Sequence, residues 1–215
     1  MNCPLCNSSD TVHLGARNVE HAHRDFYRCR FCDCIHVPEY QHPTGEEEIQ
    51  RYATHNNQYE NSRYREYLTK ILQGAVQWMG SLDGCNVLDY GGGEEEVLAR
   101  MLREQGVRAD CWDPVYGHNT LESAPYHRII CCEAAEHFAR PGNEFRRMKN
   151  LLRSGGLIYV VTRLSDTIDQ PLTWWYINDS THLVFYSCRS WEYIADSFGF
   201  TLLRCDSKSQ ILLQG

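Results

Sequence analysis

Val87-Leu-Asp-Tyr-Gly-Gly-Gly93, followed directly by Glu94-Glu95-Glu96, decides the fold of this chain. The apolar run Cys85–Tyr90 has strand composition and ends on three glycines. Glu95-Val-Leu-Ala-Arg-Met-Leu-Arg-Glu-Gln-Gly106 then has helical spacing and stops at a glycine. Strand, glycine turn and helix together make a place where backbone can approach a ligand closely. The three glutamates select the kind of ligand. Carboxylates suit the positive end of a helix, but they repel a pyrophosphate seated there. No Lys-Ser/Thr pair follows the glycines, so the turn is not a P-loop. The turn is expected to hold a ligand that carries positive charge and no phosphate.

Outward from this turn the pattern alternates. Arg108–Asp113, His127–Cys132 and Leu157–Thr162 read as strands, and Asn143–Leu152 and Ser190–Phe198 read as helices. Phe200–Cys205 and Ser209–Leu213 read as two closing strands. Such alternation predicts an α/β fold with a mainly parallel sheet covered on both faces. Upstream, Tyr64, Tyr67, Leu68, Ile71, Leu72, Val76 and Met79 mark one apolar stripe of a helix over 63–79. Residues 41–62 are polar and read as a connector. Three segments follow: 1–40, a connector with N-terminal helices over 41–80, and an α/β domain over 81–215.

The first segment contains Cys3-Pro-Leu-Cys6 and Cys29-Arg-Phe-Cys32, two CxxC pairs 22 residues apart. Two such turns supply the four-thiolate tetrahedron that structural zinc prefers. Metal binding can replace the core that so short a module lacks, and Thr11–Leu14 and Asp25–Arg28 have strand composition. A zinc-ribbon-like module is expected, with Cys34, His13, His21, His23 and His36 as spare ligands. The competing reading is two disulfides in a secreted protein. It is weakened by the lack of a signal-like segment after Met1 and by the other seven cysteines (34, 85, 111, 131, 132, 188 and 205). These are scattered, several of them in apolar runs, as free thiols are in a reducing compartment. A cytoplasmic protein is therefore expected, and no apolar run is long enough to cross a bilayer. Hydrophobic residues make up 42% of the 215, enough for one core domain with a small appendage, and the net charge of −7 argues against non-specific nucleic-acid binding.

S-adenosylmethionine suits the glutamate-rimmed turn. It has no phosphate, and its sulfonium and ammonium outweigh its one carboxylate. Asp113 ends the next strand, 24 residues beyond Asp89, where an acid can accept hydrogen bonds from ribose hydroxyls. With Val87–Gly93, Asp113-Pro114, Glu133-Ala-Ala-Glu136-His137-Phe138 and Leu151-Leu-Arg-Ser-Gly-Gly156, the chain resembles the class I S-adenosylmethionine-dependent methyltransferases over about residues 60–205. More loosely, the CxxC pairs resemble zinc modules on bacterial sugar and natural-product methyltransferases of this class. The resemblance implies a Rossmann-like sheet of seven strands with the last antiparallel, and a cofactor at the carboxyl ends of the first strands. It implies that Asp89, Gly91 and Gly93 shape the pocket for the methionine part, that Asp113 holds the ribose, and that Glu133 lies near the sulfonium or the acceptor's entrance. Two departures stand out. Glu95 replaces the family's third glycine, and only 13 residues (114–126) precede the next strand. That span leaves the sheet one edge strand short and provides no adenine-contacting acid, Glu122 being a poor substitute.

Trp174–Ser187 follows the Leu157–Thr162 strand, where the resemblance implies a substrate-binding insertion. Its aromatics can wall a pocket, and Asp179, His182 and Tyr186 add polar groups. His182 is the candidate general base, since its ordinary pKa lies near neutrality, with Asp179 to orient it. His137 is a second candidate site residue, while Tyr52, His55, Asn56, Asn57 and Tyr59 are candidates to close over the cofactor. The expected activity is methyl transfer to a small molecule, a sugar nucleotide or secondary metabolite. A silent zinc and Rossmann module that binds a protein partner, and an RNA or protein methyltransferase, are the alternatives.

Overall fold

The computed structural model describes residues 1–20, 22–118, 121 and 124–215. His21 and Glu122 lie outside them. The chain starts with strands β1 (Thr11–Val19), β2 (Ala22–Cys29) and β3 (Ile35–His36). Helix α1 (Gly45–Tyr52) begins in a capping box: Thr44 accepts from the Glu47 amide, and Glu47 accepts from that of Thr44. Helix α2 (Ser62–Met79) is capped by the Asn61 side chain and stops at Gly80, whose φ is +81°. Leu68, Ile71, Leu72, Ala75 and Met79 form its buried stripe. Val76, expected in that stripe, is 46% exposed.

Strand β4 (Asn86–Tyr90) enters the glycine turn, and helix α3 (Val97–Glu104) begins after Glu96. The three glutamates therefore precede the helix. Next come β5 (Arg108–Trp112), β6 (Tyr126–Cys132), α4 (Pro141–Leu151), β7 (Leu152–Val161), β8 (Val184–Phe185), α5 (Cys188–Phe198), β9 (Thr201–Cys205) and β10 (Gln210–Gln214). The main sheet runs β5-β4-β6-β7-β10-β9. Its first four strands are parallel, and β10 is antiparallel to both of its neighbours. Six strands form where the family pattern has seven, because the span from Trp112 to Tyr126 holds only an isolated bridge, Asp113 to His118, among the described residues.

Alternation along the strands feeds two apolar layers. Leu88, Tyr90, Ile129, Ile158 and Val160 face α4 and α5, packing with Phe145, Met148, Trp191 and Ile194. Val87, Ile130, Tyr159 and Val161 face α2 and α3. Cys131 and Cys132, adjacent on β6, point into opposite layers. Among the described residues no helix is long and apolar enough to cross a membrane.

The N-terminal segment is not a free appendage. Its sheet runs β1-β2-β3-β8, so the fourth strand comes from the insertion after β7. Cys3, Cys29, Cys32 and Cys34 share one apolar cluster with Tyr186 and Trp191. The Ser190 hydroxyl donates to the Cys32 carbonyl at 2.9 Å, and the buried Arg24 donates to the carbonyls of Asp179 and His182 at 3.4 and 3.3 Å. Cys188 and Cys205, expected to be free, are joined as a disulfide.

Phe145 is fully buried and rings it meets include those of Phe138, Tyr186, Trp191 and Phe198. Phe145→Ala should cost about 3–5 kcal/mol in chemical denaturation, while Val76→Ala should stay within about 0.5 kcal/mol of the wild type.

Candidate active site

A cleft of about 960 Å³ opens at the carboxyl ends of β4, β5 and β6. The glycine turn forms one wall, and it needs its glycines for two different reasons. Gly91 and Gly93 have φ of +83° and +72°, values that side chains disfavour. Gly92 needs its size alone: a Cβ there would lie 2.5 Å from both the Asp89 carboxylate and Cys111 Sγ. Asp89 itself lies beneath the turn, 2% exposed, and does not line the cleft. It accepts from the Ala99 amide at 3.2 Å, tying α3 to β4. Burial pushes its carboxyl up to about 7, though that hydrogen bond opposes the shift. The sequence resemblance places Asp89 in the pocket for the methionine part, whereas the carboxylate lies beneath the turn that lines it.

Asp113 does line the cleft. One carboxylate oxygen accepts from the Gly93 amide at 2.9 Å, and the other from the amides of Val115 and Tyr116 at 2.9 and 3.2 Å. Glu94 and Glu95 add carboxylates to the same rim, while Glu96 turns to Arg103 and His118. From the connector, Tyr52, His55 and Asn57 reach the cleft. Tyr59 instead stacks beside Arg65 and Arg100, and its amide donates to Glu95.

Opposite the turn, Glu133 sits at the end of β6 with φ +48°. It accepts from the hydroxyls of Tyr67 at 2.9 Å and Tyr176 at 3.0 Å. Burial first, and then the nearby Glu136 charge, push its carboxyl up to about 7. Tyr176 also hydrogen-bonds Glu136, which is completely buried. A phenol has a single proton to donate, so the Tyr176 hydroxyl cannot serve both carboxylates at once. Glu136 too is pushed up, chiefly by burial.

The histidines differ from expectation. His182 Nδ1 donates to the Tyr176 carbonyl at 2.8 Å, and His137 Nδ1 to that of Thr181 at 2.9 Å. Their ring centroids are 4.8 Å apart. Burial pushes His182 down to about 3 and lowers His137 as well. His182 is therefore not a near-neutral base, and only His137 of the two lines the cleft. Nor does Asp179 hold the His182 ring. Its carboxylate takes both the Nε and Nη2 of Arg51, at 3.3 and 2.7 Å, and His55 Nε2 at 3.2 Å. Burial pushes Asp179 up, but the hydrogen bonds of His55 and Thr181 outweigh it and keep the carboxyl well below the usual range. Trp174 and Phe185 pack against the N-terminal sheet, Trp175 borders the cleft, and the buried Tyr186 hydroxyl donates to the Ala135 carbonyl.

In the N-terminal segment, the sulfurs of Cys3, Cys6, Cys29 and Cys32 lie within 4.8 Å of one another. Cys3 to Cys32 and Cys6 to Cys29 are each 3.5 Å. Zn–S bonds of about 2.3 Å place tetrahedral sulfurs about 3.8 Å apart, so the donor set suits zinc. The Cys34 sulfur stands 3.3 Å from that of Cys3. Hydrogen bonds of Cys32 and Cys34 hold the Cys3 thiol far below its ordinary range, whereas burial pushes Cys6 up to about 12.

A family profile for the methyltransferase domain matches residues 50–204. The chain belongs to the methyltransferase domain family. No curated protein matches it. An O-methyltransferase family protein from Burkholderia thailandensis is similar at 16% identity and TM-score 0.53, over 81% of this chain and 64% of its own length. A 1,6-didemethyltoxoflavin N1-methyltransferase from the same organism, solved with its namesake substrate and S-adenosylhomocysteine bound, gives 14% and 0.51 over 93% and 96%. A methyltransferase described as SAM dependent, from Archaeoglobus fulgidus, gives 14% and 0.50 over 69% and 94%. At these identities the likeness is one of fold.

Within this methyltransferase domain, sequence reasoning missed Gly92, Tyr67, Tyr176 and Arg51. Tyr67 shares the buried stripe of α2, which hid its polar tip. Tyr176 and Arg51 act through contacts distant in sequence, and Gly92 through its tight fit against Asp89 and Cys111.

Asp89 gives a test with a definite sign. Its folded carboxyl, at about 7, holds a proton more tightly than the ordinary 3.8. The stabilisation from that proton is complete below about pH 4 and is lost as pH rises through 7. Denaturation curves should therefore show wild-type stability falling over this window, by up to roughly 1.4 kcal/mol per pH unit from this group. Asp89→Asn should flatten the slope and leave the Glu133 share.

Proposed function

We propose that this chain transfers the methyl group of S-adenosylmethionine to a small molecule. The observation that carries the reading is the cleft itself: open, about 960 Å³, and rimmed by Glu94 and Glu95 at a glycine turn. Its volume lies at the upper end for ligand pockets and leaves room for an acceptor beside a cofactor. The same rim repels phosphates, which disfavours a nucleic-acid acceptor.

The bound cofactor would supply a methyl group already activated on sulfonium sulfur. What remains for the protein is alignment and exclusion of water. Gly91 and Gly93 would give the methionine part its close approach to the backbone. Asp113 would accept from the ribose hydroxyls with its remaining lone pairs. Glu133 would face the cationic part of the cofactor, where a positive charge favours its ionised form. His137, His55 and Trp175 would meet the acceptor, and Asp179 would position His55.

Cys3, Cys6, Cys29 and Cys32 would hold a structural zinc ion. Residues 1–40 would then fold as a module completed by β8. Through Arg24 it would support the insertion that carries Tyr176 and His182.

Calorimetric titration of zinc-replete protein with S-adenosylmethionine and S-adenosylhomocysteine tests the reading. Binding in the micromolar range is expected, and Asp113→Ala should weaken it about 10–100-fold, as loss of a charge-assisted hydrogen bond does. Absence of binding to the wild type would end the proposal. Cobalt substitution should give one thiolate-bound ion per chain, seen by its charge-transfer absorption and lost in Cys29→Ser.

A further inference from the structure

The insertion and the end of β6 bring a second set of metal donors together, outside the cysteine cluster. A ring nitrogen of His137, a ring nitrogen of His182 and a carboxylate oxygen of Glu136 lie within 4.8 Å of one another. A backbone carbonyl can only accept, so the bonds to the Thr181 and Tyr176 carbonyls fix the proton of each ring on Nδ1. Nε2 of each neutral ring is left with its lone pair, the tautomer in which histidine ligates metals and donates to an outer carbonyl. Glu136 is completely buried, and its Oε2 has no hydrogen-bond partner among the described residues. Glu133 lies against the same Tyr176 hydroxyl, so a second carboxylate adds negative charge at this spot. Two imidazoles with lone pairs, an orphaned carboxylate oxygen and crowded acids are together what a cation would resolve.

We propose that Glu136, His137 and His182 bind a divalent transition-metal ion, distinct from the thiolate-bound zinc. Two imidazoles and one carboxylate favour ions such as iron(II), cobalt or zinc over magnesium, which prefers an all-oxygen shell. Three protein ligands leave coordination positions open. His137 lines the cleft, so the ion would stand at its edge, within reach of an oxygen donor on the acceptor. Arg24 and Arg51 pair with the carbonyls of Asp179 and His182 and with the Asp179 carboxylate, and neither is hydrogen-bonded to Glu136. This inference goes beyond the methyl-transfer reading and does not need it.

Cobalt(II) titration of the full, zinc-replete chain tests it. One further equivalent should bind with weak visible bands and no new thiolate charge transfer, and X-ray absorption should report a shell of nitrogen and oxygen only. Glu136→Gln and His137→Gln should each weaken that ion at least about 100-fold while the cysteine site keeps its zinc. Saturation with zinc at the cysteines alone, or a sulfur-containing shell for the added ion, overturns the proposal. So does an added ion that persists undiminished in His137→Gln. Should the variants fail to fold, the wild-type spectrum still decides. S-adenosylmethionine binding, measured in the same samples, separates the two readings: cofactor binding without a second ion sinks only this one.

Discussion

Two residue pairs, Ile35 with Phe185 and His36 with Val184, join the N-terminal sheet to the insertion after β7. The insertion has little regular structure of its own, and its backbone needs partners to be held in place. It finds them in β3, in the Arg24 guanidinium and in the Glu136 carbonyl, which accepts from the Leu183 amide at 2.7 Å. Ordering of the cysteine cluster is thus linked to the placement of Tyr176, Asp179 and His182. A small module that cannot bury much apolar surface still positions one wall of the cleft, because its strands are completed by the wall itself.

The electrostatics of the cleft follow from how that wall meets β6. Tyr176 arrives on the insertion and Tyr67 on α2, and their hydroxyls meet at Glu133. Glu136 stands beside them with no solvent contact. Two carboxylates buried side by side cannot both be readily ionised in a dry site. Both glutamates are pushed up accordingly, toward a state that a cation would reverse. A cleft of this charge suits a sulfonium on its open side and a metal ion at its buried edge. These are separate demands on adjacent acids three residues apart.

Much of the fold was legible in the sequence because it rests on local periodicity. The strands of the parallel half and the helices from 63 onward follow from apolar spacing and glycine stops, whereas the antiparallel closing strand was implied only by the family resemblance. The shortened edge was legible from length alone: 13 residues between Asp113 and the next strand leave little room. The four clustered cysteines were legible as spacing. What could not be read was pairing across the chain. Nothing local to Val184 says that it completes a sheet begun at Thr11. Nothing local to His182 says that it is buried against Tyr176, so its ordinary pKa suggested a base that its surroundings do not make. Asp179 was singled out as a group to orient His182, but its partners include Arg51 and His55, more than 120 residues earlier.

Asp113 shows how the short span after β5 shapes the site. Its carboxylate accepts three backbone amides, one from the glycine turn and two from the loop that follows β5. In a wider sheet that loop could lean on another strand. Here the carboxylate itself joins the turn to the loop, and Pro114, Val115 and Tyr116 border the cleft directly. A carboxylate offers about four acceptor sites, so three amides leave little spare capacity for a ligand. Ribose hydroxyls would have to use what remains or displace an amide. Cofactor affinity and the order of residues 113–118 are then two aspects of one hydrogen-bond network, and the loop that would cover the adenine is set by the acid that would hold the sugar.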